Sequence, residues 1–92
     1  PKMNAFETRG SDLRKAAKSL VREFLQSHPD AKPNSRGIRQ AEIFRACGFD
    51  WGAYPKATSS NQQYWIVALL KELEAAGEVV QVSESGRWRL SR

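Results

Sequence analysis

The chemistry this chain can offer is concentrated between Thr58 and Lys71. Thr58, Ser59 and Ser60 are consecutive hydroxyl residues, any of which can accept a hydrogen bond from the free amides of a first helical turn. Asn61 and Tyr64 add an amide and a phenol, and Ala68 and Lys71 continue at helical spacing. With about 100° of turn per residue, Ser60, Asn61, Tyr64, Ala68 and Lys71 share one side of a helix. That side is small, polar and aromatic at its start, and it carries no acid. From Trp51 to Lys71 the only charges are Lys56 and Lys71, although acids make up 10 of the 92 residues. A surface that approaches phosphate has physical reason to exclude carboxylates. The segment is therefore read as the recognition helix of a nucleic-acid-binding protein.

Other chemistries find no comparable grouping. His28 is single and precedes a proline, and Cys47 is single. No cluster has metal-ligand spacing, no glycine-rich loop could cradle a phosphate, and no nucleophile has a base partner in view. The reading is of a binding protein, not an enzyme, with no cofactor and no metal.

The elements that would position the segment can be read on either side of it. Behind its polar face, Ile66, Leu69, Leu70 and Leu73 form an apolar stripe at helical spacing. Lys71-Glu72-Leu73-Glu74-Ala75-Ala76 are strong helix formers, and Gly77 suits the left-handed cap position. Upstream, Ser11 is read as an N-cap with Asp12 in the first turn. Leu13, Ala17, Leu20 and Phe24 would then be the core face of a first helix. Arg14, Lys15, Lys18 and Arg22 would lie roughly opposite, either as a solvated basic face or as phosphate contacts. His28-Pro29 ends that helix, because the residue before proline is pushed out of helical geometry.

Residues 29–37 read as a loop, in which Lys32 and Arg36, with Arg39 just beyond, are either solvated loop cations or further backbone contacts. Gly37-Ile38-Arg39 is a candidate short strand, and Gln40 to Gly48 a short helix with Ile43, Phe44 and Cys47 inward. The aromatic-rich stretch from Phe49 to Ala57 joins it to the central helix, with Trp51 as an anchor. After Gly77, Val80 and Val82 alternate with polar residues, and Arg87-Trp88-Arg89-Leu90 alternates again after the turn Ser83-Glu84-Ser85-Gly86. This predicts a hairpin with Val80, Val82, Trp88 and Leu90 on one face and Arg87 and Arg89 on the other. The expected organisation is a flexible lead-in over 1–10 and one domain over 11–92, with Leu13, Leu20, Phe24, Ile43, Leu70, Leu73 and Trp88 buried.

Composition sets the bounds. Ninety-two residues, 40% of them apolar and including three Trp and four Phe, suit one small folded domain. Fifteen basic against ten acidic residues give a net charge of +5, which raises the odds of an anionic partner. A lone cysteine favours a reducing, intracellular compartment. No apolar run reaches membrane-spanning length and no signal-peptide pattern is present, so a membrane is not expected as a partner. A start at Pro1 rather than Met reads as a domain cut from a longer chain.

Helix, short extended piece, helix, longer helix and terminal hairpin is an order that resembles the winged helix-turn-helix DNA-binding family. Leu70-Lys71-Glu72-Leu73-Glu74-Ala75-Ala76-Gly77-Glu78-Val79-Val80 is similar to the end of that family's recognition helix running into the wing. Gly86-Arg87-Trp88-Arg89-Leu90 is similar to its returning strand, and Ala41 to Gly48 to its second helix. The resemblance implies an α+β fold, a three-helix bundle with a C-terminal β-hairpin wing, binding double-stranded DNA. It implies a recognition helix in the major groove with its N-terminal residues near base edges. On this chain, Asn61 would pair with adenine, while Thr58 and Ser60 would bond phosphate or base, aided by the helix N-terminus. Tyr64 would stack or bond phosphate, and Ala68 would lie against a thymine methyl. Lys71, Arg87 and Arg89 would be backbone contacts, which position without specifying. Asn61 and Ser60 read equally well as helix caps, and Tyr64 as a packing residue. Two features depart from the family pattern: a long corner at Trp51 to Ala57 and a short wing. The ending also resembles winged-helix modules of restriction endonucleases, some of which read methylated adenine. That implies a target-reading module with a fused or associated catalytic domain. The alternative is a winged helix used for protein–protein contacts.

Overall fold

The computed structural model describes residues 4–50 and 60–92, and of residues 60–64 the backbone alone. Within them, helix α1 spans Ala5–Ser27, a 3₁₀ turn Pro29–Ala31, helix α2 Gln40–Ala46 and helix α3 Ser60–Ala75. Strands β1 (Val79–Gln81) and β2 (Trp88–Leu90) form an antiparallel hairpin. The architecture is a small α+β domain of three α-helices and a two-stranded hairpin.

α1 starts earlier than expected. Its N-cap is Asn4, not Ser11: the Asn4 side chain accepts from the Glu7 amide at 2.8 Å, and the Asn4 amide donates to the Glu7 carboxylate at 3.2 Å. This reciprocal pair satisfies two of the free amides of the first turn, so residues from Ala5 onward are helical rather than a loose lead-in. Ser11 lies inside the helix. The far end is as expected, with His28 extended at ψ 126° before Pro29. The His28 ring nitrogen Nδ1 then accepts from the Asp30 amide at 3.1 Å and caps the 3₁₀ turn.

α1 also buries a different side. Val21 and Leu25 are fully buried, whereas Leu13 is 72% and Leu20 43% exposed; of the expected face, Ala17 and Phe24 are half-buried against the core. The helix has apolar residues on two flanks, and ion pairs go with the flank that packs. Lys18 bonds Glu72 of α3 at 2.5 Å. Arg22 grips both carboxylate oxygens of Glu78, past the end of α3, the second contact at 3.1 Å. Of the basic stripe assigned to the side away from the core, Lys18 and Arg22 therefore face the body of the protein.

The core joins Val21 and Leu25 to Ile43 and Phe44 of α2, Ile66, Leu69, Leu70 and Leu73 of α3, and Val79 and Trp88 of the hairpin. The α3 stripe is thus buried as its spacing predicts, and Gly77 ends that helix at φ +78°. Phe44, Phe49 and Trp65 pack edge-on or tilted between α2 and α3, with ring centroids 5.9 and 4.4 Å from Trp65. Cys47 is half-buried, and burial raises its thiol pKa. The connecting segment Trp51 to Ala57 lies outside the described residues.

The hairpin register is Val79 with Leu90, Val80 with Arg89 and Gln81 with Trp88. The buried valine is therefore Val79, while Val80 is 37% exposed and shares the outer face with Arg89. The first strand is one residue out of phase with the expectation, which in a strand moves every side chain to the other face. Ile38 supplies a further strand-like pairing: its amide donates to the Trp88 carbonyl at 2.7 Å, and its carbonyl accepts from the Trp88 amide at 2.8 Å. The expected short strand is a single bridge, and it lies on the free edge of β2.

Glycine is required beside that bridge. Gly37 has φ +88°, and a Cβ there would stand 2.9 Å from the Arg87 Cβ and 3.0 Å from the Trp88 carbonyl oxygen. Its amide donates to Asp30 at 2.8 Å, and Ser35 Oγ donates to the Asp30 and Lys32 carbonyls. The stretch before α2 is therefore ordered against the hairpin.

Candidate nucleic-acid interface

The residues expected to contact DNA fall into three groups. Thr58 lies outside the described residues. Ser60, Asn61 and Tyr64 belong to the opening turns of α3, where the backbone alone is described. Ala68, Lys71, Arg87 and Arg89 can be placed in full.

Ala68 is exposed and borders an apolar groove of about 380 Å³ between α1 and α3, whose lining also includes Leu13, Ala17, Trp65 and Leu69. Glu72 stands at the same groove. The hydrogen bond from Lys18 holds its carboxyl below the ordinary carboxylate range, with Coulombic help from Lys18 and Arg14. Ala68 thus sits nearer to α1 than to the hairpin cations.

Lys71 is exposed on α3, 3.5 Å from Glu74 and 5.7 Å from the centre of the Trp88 ring. A cation over an indole face is held without loss of its charge. It links α3 to the strand that carries the two arginines.

Arg87 and Arg89 flank Trp88 in sequence, so with Trp88 turned into the core both lie on the outer face of the hairpin. Neither is a free side chain. Arg87 donates to the Gly37 carbonyl at 3.3 Å and Arg89 to the Ser35 carbonyl at 2.6 Å. Each bond uses one of five guanidinium donors. A neutral carbonyl orients the group and leaves its charge uncancelled. Among the described residues neither arginine makes an ion pair.

Of the three further cations named from the sequence, Arg39 is the one that the bridge brings to the hairpin. The Ile38–Trp88 bridge is antiparallel, which sets Arg39 alongside Arg87. Arg39 is exposed and makes no ion pair among the described residues. Its neighbour Arg36 is engaged, at 3.3 Å from Asp30. The outer face of the hairpin therefore carries Arg87 and Arg89, with Val80 beside Arg89 and Arg39 one residue past the bridge. The sequence signal was the Gly37-Ile38-Arg39 strand pattern, but which strand it joins is a tertiary fact.

The arrangement presents positive charge that no acid among the described residues cancels. It holds guanidinium groups against a framework fixed by Trp88, Ile38 and Gly37. Among the described residues, no helix is long and apolar enough to cross a membrane. No known protein family, curated protein or solved structure matches this chain.

Proposed function

We propose that this chain is a winged-helix module that binds double-stranded DNA, with α3 in the major groove and the hairpin arginines on the phosphates. The observation that carries the reading is the group Arg39, Arg87 and Arg89, held in place by neutral carbonyls or left without an acidic partner. Arg87 and Arg89 belong to the hairpin that follows α3, the helix whose leading half is free of acids. The pairing of Ile38 with β2 supports the winged-helix arrangement, since it puts the short piece before α2 on the edge of the hairpin.

In this reading Asn61 is the base reader, because an amide offers the donor and acceptor that match adenine in the major groove. Thr58, Ser60 and Tyr64 contact base or phosphate at the start of α3. Arg87, Arg89 and Lys71 fix the register on the backbone. Ala68 takes the thymine methyl only in the part of the groove that α1 leaves open. The module would act in a reducing intracellular compartment, as the target-reading part of a larger protein, with sensitivity to base methylation as one form of that reading.

Fluorescence anisotropy on labelled duplexes across a salt series tests it. Each phosphate neutralised contributes about 0.9 to the slope of log affinity against log salt. Arg87→Ala and Arg89→Ala are each expected to flatten that slope by about 0.9 and to weaken unrelated duplexes alike. Affinity and slope unchanged in both variants would refute the assignment. A selection from random duplexes, with and without methylated adenine, then identifies the target. The alternative, a winged helix serving protein contacts, is favoured by one observation, the exposed apolar side of α1. Partner binding that ignores salt would distinguish it.

A further inference from the structure

α1 has a second apolar side that the described chain covers only in part, where Ala17 and Phe24 rest against the core. Phe6 is 79%, Leu13 72% and Leu20 43% exposed, and they recur every seventh residue. Single exposed apolar residues need no account, but a row along the length of a helix does. Interleaved with it, at offsets of three and four, run Gly10, Ala17 and Phe24. The two sets together make the alternating spacing of a helix-pairing seam.

Gly10 adds an independent observation. Glycine weakens a helix interior, yet a Cβ at Gly10 would meet nothing within 4 Å. Among the described residues, packing within one copy gives no reason for the missing side chain. A close neighbour from outside does.

We propose that α1 pairs antiparallel with α1 of a second copy, in the register that sets Gly10 opposite Leu20 and Leu13 opposite Ala17. Two-fold symmetry repeats both pairings, so each of these layers joins one large and one small residue. Phe6 meets Phe24 at both ends. Leu13 of the second copy then stands over Ala17, at the groove that Ala17 shares with α3.

Charge selects the same register. Arg9 and Glu23 are both exposed and make no ion pair among the described residues. In the antiparallel register Arg9 of each copy flanks Glu23 of the other, giving two opposite-charge pairs. Arg14 of the two copies approaches near the axis, where Glu72, which already senses the Arg14 charge, stands in each copy. A parallel pair would stack leucine on leucine and Gly10 on Gly10, leaving a void. It would also set Arg9 against Arg14.

Sedimentation equilibrium of the 92-residue chain, without DNA, is the test. A concentration-dependent monomer–dimer equilibrium is expected. Gly10→Leu has open space in one copy, so it should fold with a higher thermal midpoint, yet it should weaken the dimer about tenfold or more by setting leucine against Leu20. Arg9→Glu should weaken it about tenfold, as two ion pairs turn repulsive, and adding Glu23→Arg should restore it. A monomer up to millimolar concentration overturns the proposal. So does a dimer that Gly10→Leu or Arg9→Glu tightens, since a parallel or unspecific association would gain from either. No nucleic acid enters the measurement, so its outcome stands apart from the DNA-binding reading.

Discussion

Replacing Gly37 by alanine isolates the contact that holds the arginine group. Two costs act there. At φ +88° any side chain pays for a left-handed backbone, about 1–2 kcal/mol for an L-residue. The new Cβ also lands 2.9 Å from the Arg87 Cβ and 3.0 Å from a Trp88 backbone oxygen. Neither neighbour is the tip of a flexible chain, so the strands must part, and overpacking of this kind costs about 1–3 kcal/mol. The expected total is about 2–5 kcal/mol. Gly48 supplies the control: it too has positive φ, +73°, but a Cβ there meets nothing within 4 Å. Gly48→Ala should cost about 1–2 kcal/mol, the backbone part alone. Urea melts of both variants give the difference directly. A further effect is expected in Gly37→Ala under conditions where it remains folded, a loss of DNA affinity, because the Gly37 carbonyl no longer orients Arg87. If the two variants melt alike, the close approach of the Gly37 loop to β2 is wrong, and the arginine group with it.

The rotation of α1 is tested by a pair of truncations. Leu25→Ala should cost about 2–5 kcal/mol, whereas Leu13→Ala should stay within about 0.5 kcal/mol in dilute, monomeric protein; equal losses in urea melts would restore the original face. Glu72 gives a pH dependence. Its folded pKa lies below the ordinary value because Lys18 bonds the charged form, so its contribution is present above the ordinary carboxylate range and is lost as pH falls through the folded pKa. The stability gap between the native chain and Lys18→Met, followed by thermal melts, should therefore close on acidification; a gap that widens would reverse the sign of the coupling. Asn61→Ala should remove about 1–3 kcal/mol at one base position while unrelated duplexes change little. A uniform loss across sequences, or a loss of folding stability of about 0.5–2 kcal/mol alone, would make Asn61 a cap.

The parts legible in the sequence were those with a single apolar side. Ile66, Leu69, Leu70 and Leu73 offer one stripe and Gly77 one stop, and the structure buries and ends α3 accordingly. α1 offers two stripes, and of the more regular one Ala17 and Phe24 pack against the core while Leu13 and Leu20 are left in solvent. Periodicity reports that a face is apolar, not what it meets. The early start of α1 was written as Asn4-x-x-Glu7, a capping box, but the mixed polar signals of residues 1–10 read as a lead-in and Ser11 as the cap. In the hairpin Val79, Val80 and Val82 fit either phase, and only pairing with Leu90 and Trp88 chooses between them. The two arginines were legible as sharing a face. Their carbonyl partners were not, since Gly37 and Ser35 lie some fifty residues away in sequence.

A net charge of +5 matters less than the way each cation is held. Lys18, Arg22, Arg36 and Lys71 each stand within ion-pair distance of an acid, at Glu72, Glu78, Asp30 and Glu74. Three of these pairs tie separate elements or turns together, so most of the charge they carry belongs to the fold. Arg39, Arg87 and Arg89 differ in kind, since carbonyls fix two of them and no acid cancels any. A single copy binding through these three would show a salt slope of about −3 from the group alone. Contacts from the start of α3 would add to it. If α1 joins two copies, one complex carries two groups, and the slope per complex should double, while each Arg→Ala variant removes two contacts instead of one. Gly10→Leu, which touches neither group, should then return the slope to its single-copy value. The helix seam and the arginine group thus make independent claims that meet in one measurable slope.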